Sequence, residues 1–474
     1  MSPNLGRRQM LRVLGTGAAG LLVSRRAIAQ QAQLGLPPPR RLRGRRLEPG
    51  LVQAELTAAA TTVRVADAWA ELWTYGGSFP GPLLRVREGD RVRLRLTNQL
   101  PEETNLHLHG LHIPPAVDNP FLAVPPGEAA TYEFDVPRGS RGLHWYHPHV
   151  HGRVARQLFA GLAGPILVEP ATAEFALSGA EEHILVLKDL ELDGDRPAPH
   201  LPPDWRRGKE GSLRLVNGTL DPVLVATRGA LRLHILNASN ARYYRLALQE
   251  HAFHLLATDG HALATPVVVE EILLAPGERA EVLVLLERQG TFALLDLPYD
   301  RGAAMMMGGM GGTGVGREAV QLMTLVRRTE RAPRLLPTAL ATVEDFRGRP
   351  ADVTRGLVLG EAMMGARFSI NGKEFDPTRV DLASRLGNLE IWEIENRGGM
   401  DHPFHLHTYP FQVLSRNGVA ESAVVWKDVV NVRRSETVQI AVPLRDFAGR
   451  TVYHCHIAEH EDQGMMGTLD VAPG

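Results

Sequence analysis

The stretch Tyr453-His454-Cys455-His456-Ile457-Ala458-Glu459-His460, followed by Met465, decides how the chain is read. Cys455 is the only cysteine among 474 residues. On a β-strand successive side chains point to opposite faces, so Cys455 faces one way while His454 and His456 face the other. One short segment then presents a metal ligand on each side, with about 10 Å of covalent chain between the two. A thiolate, two imidazoles and a weak axial thioether make a type 1 blue-copper site. Cys455, His460 and Met465 supply all of that set except one histidine. The pair on the reverse face can serve a separate cluster.

Working outward, the 19 histidines are clustered rather than scattered. His107-Leu108-His109 and His147-Pro148-His149 each place two imidazoles on one strand face. His402-Pro403-Phe404-His405-Leu406-His407 adds a third pair, with a further histidine three residues before it. Any single His-x-His is a weak signal. Four clusters at matching points of two repeats form a strong one. The middle of the chain carries His183, His200, His234, His251, His254 and His261 without that spacing and without cysteine, so it is expected to be metal-free.

The repeats themselves are visible. A strand ending in asparagine recurs as Leu94–Asn98, Leu233–Asn237 and Ile391–Asn396. A turn and an alternating strand follow, as Pro126-Gly127-Glu128, Pro276-Gly277-Glu278 and Arg434-Ser435-Glu436 with their successors. Short alternating strands punctuated by Gly, Pro, Asn and Asp indicate all-β sandwiches. The length fits several domains of ordinary size.

Formal net charge is −1. Residues 1–29 contain Arg7, Arg8, Arg12, Arg25 and Arg26 and no acid, so the remainder is more acidic. Nucleic acid is not an expected partner. Arg7-Arg8, the apolar Leu11 to Val23 and Ala27-Ile28-Ala29 read as a cleavable signal of twin-arginine type. That apolar run is too short to span a bilayer, and no membrane span is expected elsewhere. With one cysteine, no intrachain disulfide is possible.

The four motifs, taken in order, resemble those of the multicopper oxidases, above all the three-domain bacterial laccases with a Met-rich loop. The resemblance covers nearly the whole chain after residue 29. It implies three cupredoxin-like Greek-key domains, at 30–170, 171–340 and 341–474, and four coppers. Type 1 copper would take His402, Cys455 and His460, with Met465 axial. Type 2 would take His107 and His405. The type 3 pair would take His109, His147, His149, His407, His454 and His456. The implied activity couples four one-electron oxidations of phenols, aromatic amines or Cu(I) to reduction of O2 to two waters. The expected protein is a monomer, periplasmic or secreted, exported folded. Asp118 and Glu461 match the acids that deliver protons, Glu461 in direct sequence to His460. Asp428 is read as orienting a type 1 histidine. His112, His144 and His151 match no ligand position and are read as packing. Met305, Met306, Met307 and Met310 form a soft-ligand loop suited to Cu(I). Met400 and Asp401, and Met363-Met364, could join it, which points to a cuprous oxidase as the alternative. A non-enzymatic copper-binding or electron-transfer protein of the envelope would leave most of the histidines without a purpose.

Overall fold

The computed structural model describes residues 34–48, 50–171, 179–302, 318–328, 337–361 and 367–474. Among these the chain is almost entirely β-strand, with short helices at Val154–Phe159, Pro202–Arg207 and Ala458–Asp462. No helix among the described residues is long and apolar enough to cross a membrane. The strands form three successive two-sheet sandwiches of cupredoxin type. Alternation drives each. Arg91–Asn98 buries Val92, Leu94 and Leu96 and turns its arginines outward, the period-two pattern of a half-buried strand.

The repeat seen in the sequence is a repeat of register. In each sandwich the Asn-ended strand runs parallel to one neighbour and antiparallel to another. Arg91–Asn98 lies between Leu51–Val65 and Ala129–Asp135. Ala230–Asn237 lies between Glu181–Leu190 and Arg279–Leu285. Leu389–Asn396 lies between Val353–Glu361 and Thr437–Pro443. The asparagine does the same work three times. Asn98 Nδ2 donates to the carbonyls of Glu102 and Val124, Asn237 to those of Arg242 and Leu274, and Asn396 to those of Met400 and Val432. Each side-chain oxygen also accepts the amide two residues on. A buried corner whose backbone groups would otherwise lack partners is thereby satisfied.

Two strand pairs position the histidines. His107–His109 pairs with Gly142–His147, setting His107 opposite His147. His402–Leu406 pairs with Gly449–Cys455, setting Phe404 opposite Cys455 and His405 opposite His454. These pairs belong to the first and third sandwiches, which meet there. The helix Ala458–Asp462 ties the junction: the Asp462 carboxylate accepts the amides of Val154 and Ala155 at 3.2 and 2.8 Å.

Phe404 is fully buried in the third core, against Trp392 and Tyr453. Phe404→Ala is expected to cost about 3–5 kcal/mol, measured as a lowered midpoint of denaturant unfolding. A midpoint equal to wild type would show that the core collapses to fill the space.

Candidate metal centre

Strand alternation places Cys455 on one side of its strand and His454 and His456 on the other, and two separate clusters of donors result. On the sulfur side, Cys455 Sγ lies 3.5 Å from His402 Nδ1 and 3.8 Å from His460 Nδ1, and those two nitrogens are 3.3 Å apart. All three residues are buried, as is Met465, which packs in the same core cluster as Cys455. The loop is tight: Cys455 N donates to Met465 O and Met465 N to His460 O. His402 Nε2 faces Glu361 Oε1 at 3.3 Å, and His460 Nε2 faces the Arg206 carbonyl at 3.4 Å. Both rings therefore turn Nδ1 toward the sulfur. Burial pushes the Cys455 thiol far above its ordinary range, so a thiolate here needs a bound cation beside it.

On the reverse side eight imidazoles converge. His149, His407 and His454 bring their Nε2 atoms to 3.1 Å from one another. His456 Nε2 and His147 Nε2 lie 3.3 and 3.5 Å from His109 Nδ1. His107 Nε2 and His405 Nε2 are 3.3 Å apart. The outward nitrogens explain why these inward ones are lone pairs. His147 Nδ1 donates to Pro148 O and His454 Nδ1 to Cys455 O, each at 2.9 Å. His405 Nδ1 donates to Asp428 O at 2.7 Å. His107 Nδ1 meets the Asp118 carboxylate at 2.8 and 2.9 Å, and His109 Nε2 meets Asp428 Oδ1 at 3.0 Å. Burial keeps the rings neutral, holding His454 down to about 4 and His147 to about 3. Unprotonated nitrogens crowded tip to tip in a dry interior repel one another unless a cation sits among them. Imidazole donors on one side, with imidazole, thiol and thioether on the other, suit copper.

Asp118 and Glu461 each lie against ring nitrogens of the histidine cluster. Asp118 also accepts the Leu108 amide at 2.9 Å and lies 3.4 Å from His407 Nδ1. Glu461 lies 3.2 Å from His454 Nδ1 and 3.4 Å from His149 Nε2. Asp428 requires a correction. It sits on the side of the eight imidazoles, against His109 and His405, and touches neither His402 nor His460 in any described contact. Glu361 occupies the position expected of it, and spacing gave no sign, because Glu361 lies on the adjoining segment 41 residues away. The remaining histidines pack: His112 bridges Thr408 O and Asp446, His144 donates to Ser140 O, and His151 stands edge-on to Phe375. Met400 is fully buried. Asp401 is committed to Tyr299 Oη at 2.5 Å, Asn431 Nδ2 at 3.3 Å and Arg434 N at 3.0 Å. Met305, Met306, Met307, Met310, Met363 and Met364 lie outside the described residues.

Comparison with known proteins agrees with this geometry. Three family models described as multicopper oxidase match residues 57–173, 145–305 and 349–474. The multicopper oxidase mco of Staphylococcus epidermidis is 32% identical over 407 residues, 84% of this chain and 83% of that protein. The cell division protein FtsP of Pectobacterium atrosepticum is 30% identical over 482 residues, 99% of each. Among solved structures, a multicopper oxidase of Campylobacter jejuni, described as a metallo-oxidase, superposes with a TM-score of 0.85 at 32% identity. The match covers 93% of this chain and 96% of that one.

Burial, with Asp462 and Glu459 beside it, lifts the Glu461 carboxyl well above its ordinary range. A raised carboxyl contributes stability that is complete below its unfolded pKa and is lost as pH rises through the folded value. In copper-free protein, Glu461→Gln should therefore match wild type near about pH 4 and surpass it increasingly at higher pH. Unfolding midpoints across pH test this, and parallel profiles would refute a neutral buried acid.

Proposed function

The chain belongs to the multicopper oxidases, and from that premise we propose how its residues divide the work. The enzyme is an oxidoreductase that passes electrons, one at a time, from a reductant to O2, yielding water. In our assignment one copper would be held by His402, Cys455, His460 and Met465, and a second by His107 and His405. A further pair would be held by His109, His147 and His456 and by His149, His407 and His454. The observation that carries this is the partition of ligand atoms into those groups, with tautomers that leave lone pairs pointing inward. Copper bound there supplies reversible one-electron chemistry.

The chain does the rest. Cys455 is covalently continuous with His454 and His456, so two peptide units bridge the donor-facing and oxygen-facing centres. Glu461, neutral when buried, holds a proton beside His454 and His149. Asp118 holds another site beside His107 and His407. Both carboxyls sit within reach of the cluster while bulk water is kept away, as general acids for oxygen reduction require. The cupredoxin modules are placed at 30–170, 171–340 and 341–474, the middle one without metal. Residues 1–29 serve as a twin-arginine export signal, and the mature protein works as a monomer outside the cytoplasm.

Two substrate classes fit. Phenols and aromatic amines are the laccase-like reading. Cu(I) is favoured by the run Met305-Met306-Met307-Gly308-Gly309-Met310 and by the likeness to a protein described as a metallo-oxidase. The complete ligand set favours an oxidase over the cell-division role that the likeness to FtsP would suggest.

Glu461→Gln is expected to keep the blue type 1 absorption while slowing oxygen uptake about 10²–10⁴-fold; undiminished turnover at full copper loading would remove Glu461 from proton delivery. Deleting residues 303–312 should lower Cu(I) oxidation at least about tenfold, the loss of a preferred soft-ligand site, with phenol oxidation spared. Survival of Cu(I) oxidation would assign that segment no role as a metal site.

A further inference from the structure

Seven of the eight imidazoles of the oxygen-facing cluster turn Nε2 inward, and His109 alone turns Nδ1. We propose that Arg279, from the module that holds no metal, is the positioning residue behind that difference: it fixes Asp428, and Asp428 fixes His109. The inference rests on the copper assignment above.

The plane of the His109 ring is set by stacking on His405, at 3.9 Å between centroids and 11° between planes, with Trp145 on its flank. Within that plane the ring can sit in two orientations, related by a half-turn about Cβ–Cγ that exchanges Nδ1 with Cδ2 and Nε2 with Cε1, and only one of them sets Nδ1 toward the cluster with Nε2 toward Asp428. Asp428 Oδ1 at 3.0 Å from Nε2 selects one of them. A carboxylate on a freely turning side chain would not select well. This one is locked. Arg279 Nη1 and Nη2 fork onto Oδ1 and Oδ2 at 2.6 and 2.7 Å, a bidentate pairing with strong geometric preference. The guanidinium is itself aimed by the carbonyls of Leu143, Asp259 and Gly277, at 3.2, 2.9 and 3.3 Å. These acceptors come from the first and middle modules, and Asp428 comes from the third. The fork is therefore made only when all three are docked.

Two further features belong to the same device. Arg279 directly follows the Pro276-Gly277-Glu278 turn, where the corresponding turns of the first and third repeats are followed by Ala129 and Thr437. The module without ligands carries the long cation at that position. Gly110, at φ +87°, directly follows His109, and a Cβ there would lie 2.2 Å from Arg279 Nη2 and 2.7 Å from Asp428 Oδ2. The His-x-His-Gly motif of the first module leaves the space that the ion pair fills.

The test uses the full-length protein, loaded with copper and then titrated with a chelator. Arg279→Lys keeps the charge but cannot fork. It should release the cluster coppers about 10–100-fold more readily, with loss of the type 3 near-ultraviolet absorption, while the type 1 copper and blue absorption stay as in wild type. Gly110→Ala should give the same signature, although it adds an atom and removes no charge. Arg242→Lys is the control for a merely structural arginine: it is a largely buried arginine of the same module, bonded to Asp189 and Gly211 O, and should lower thermal stability without touching cluster affinity. Wild-type cluster affinity in Arg279→Lys overturns the proposal, as does parallel loss of type 1 and cluster coppers. A wild-type protein with no cluster coppers would instead defeat the copper assignment.

Discussion

An imidazole is held with one lone pair aimed inward most firmly when its other nitrogen has an acceptor for its proton. That requirement organises the interior of this protein. For His147 and His454 the acceptor is the carbonyl of the very next residue, so the tautomer comes with the strand ending. For His405 it is a carbonyl on a neighbouring strand. For His107 and His109 it is a carboxylate, and for His109 that carboxylate belongs to a different sandwich. The farther the acceptor is in sequence, the more of the tertiary structure must be in place before the ring is correctly set. Ligand geometry and domain docking thus become one problem, since an acceptor displaced by an ångström no longer selects a tautomer.

Much of this was legible in the sequence, and the division is physical. Period-two alternation and repeated turns announced the sandwiches, because a half-buried strand leaves that pattern wherever it occurs. The back-to-back placement of Cys455 against His454 and His456 followed from strand geometry alone, and Glu461, directly after His460, was marked by the family resemblance. What escaped was contributed by residues far away in sequence, most of them across sandwich boundaries. Glu361 on His402, Arg206 O on His460 and Arg279 on Asp428 have no spacing that marks them. Asp428 illustrates the limit. Its neighbourhood in sequence favoured a role near type 1, yet the turn into Val429–Val432 points it at His109 instead. Local pattern reports which face a residue occupies, and only packing reports which neighbour that face meets.

The middle sandwich is the case where the two kinds of information diverge most. Its sequence lacks paired histidines, and it was read as metal-free. Yet its turn reaches the centre twice. Gly277, at φ +85°, packs so closely that a Cβ would sit 2.8 Å from the His456 ring, and Arg279 forks onto Asp428. A module without paired histidines can still bear on how the histidines of the other modules are held.

The charges around that fork favour this view over a purely stabilising one. Arg279, buried, and Lys427, largely buried, sit among Asp259, Glu278 and Asp428. Two cations face three carboxyls, and the pairs cannot neutralise all of them. Burial raises Asp428 to about 6 even against the guanidinium, and burial likewise raises Glu278, whereas Lys427 and Arg279 outweigh burial at Asp259 and hold it low. Desolvating five such groups costs more than their attractions are expected to return, so a buried network of this kind is weak evidence for stability. An apolar packing of the same volume would serve docking at least as well. It could neither accept the proton of His109 Nε2 nor place the uncompensated negative charge beside nitrogens built to hold a cation, where a bound metal would be the largest local charge. The network makes physical sense as part of the centre, with three of its five groups, Asp259, Glu278 and Arg279, supplied by the module whose sequence showed no sign of belonging to it.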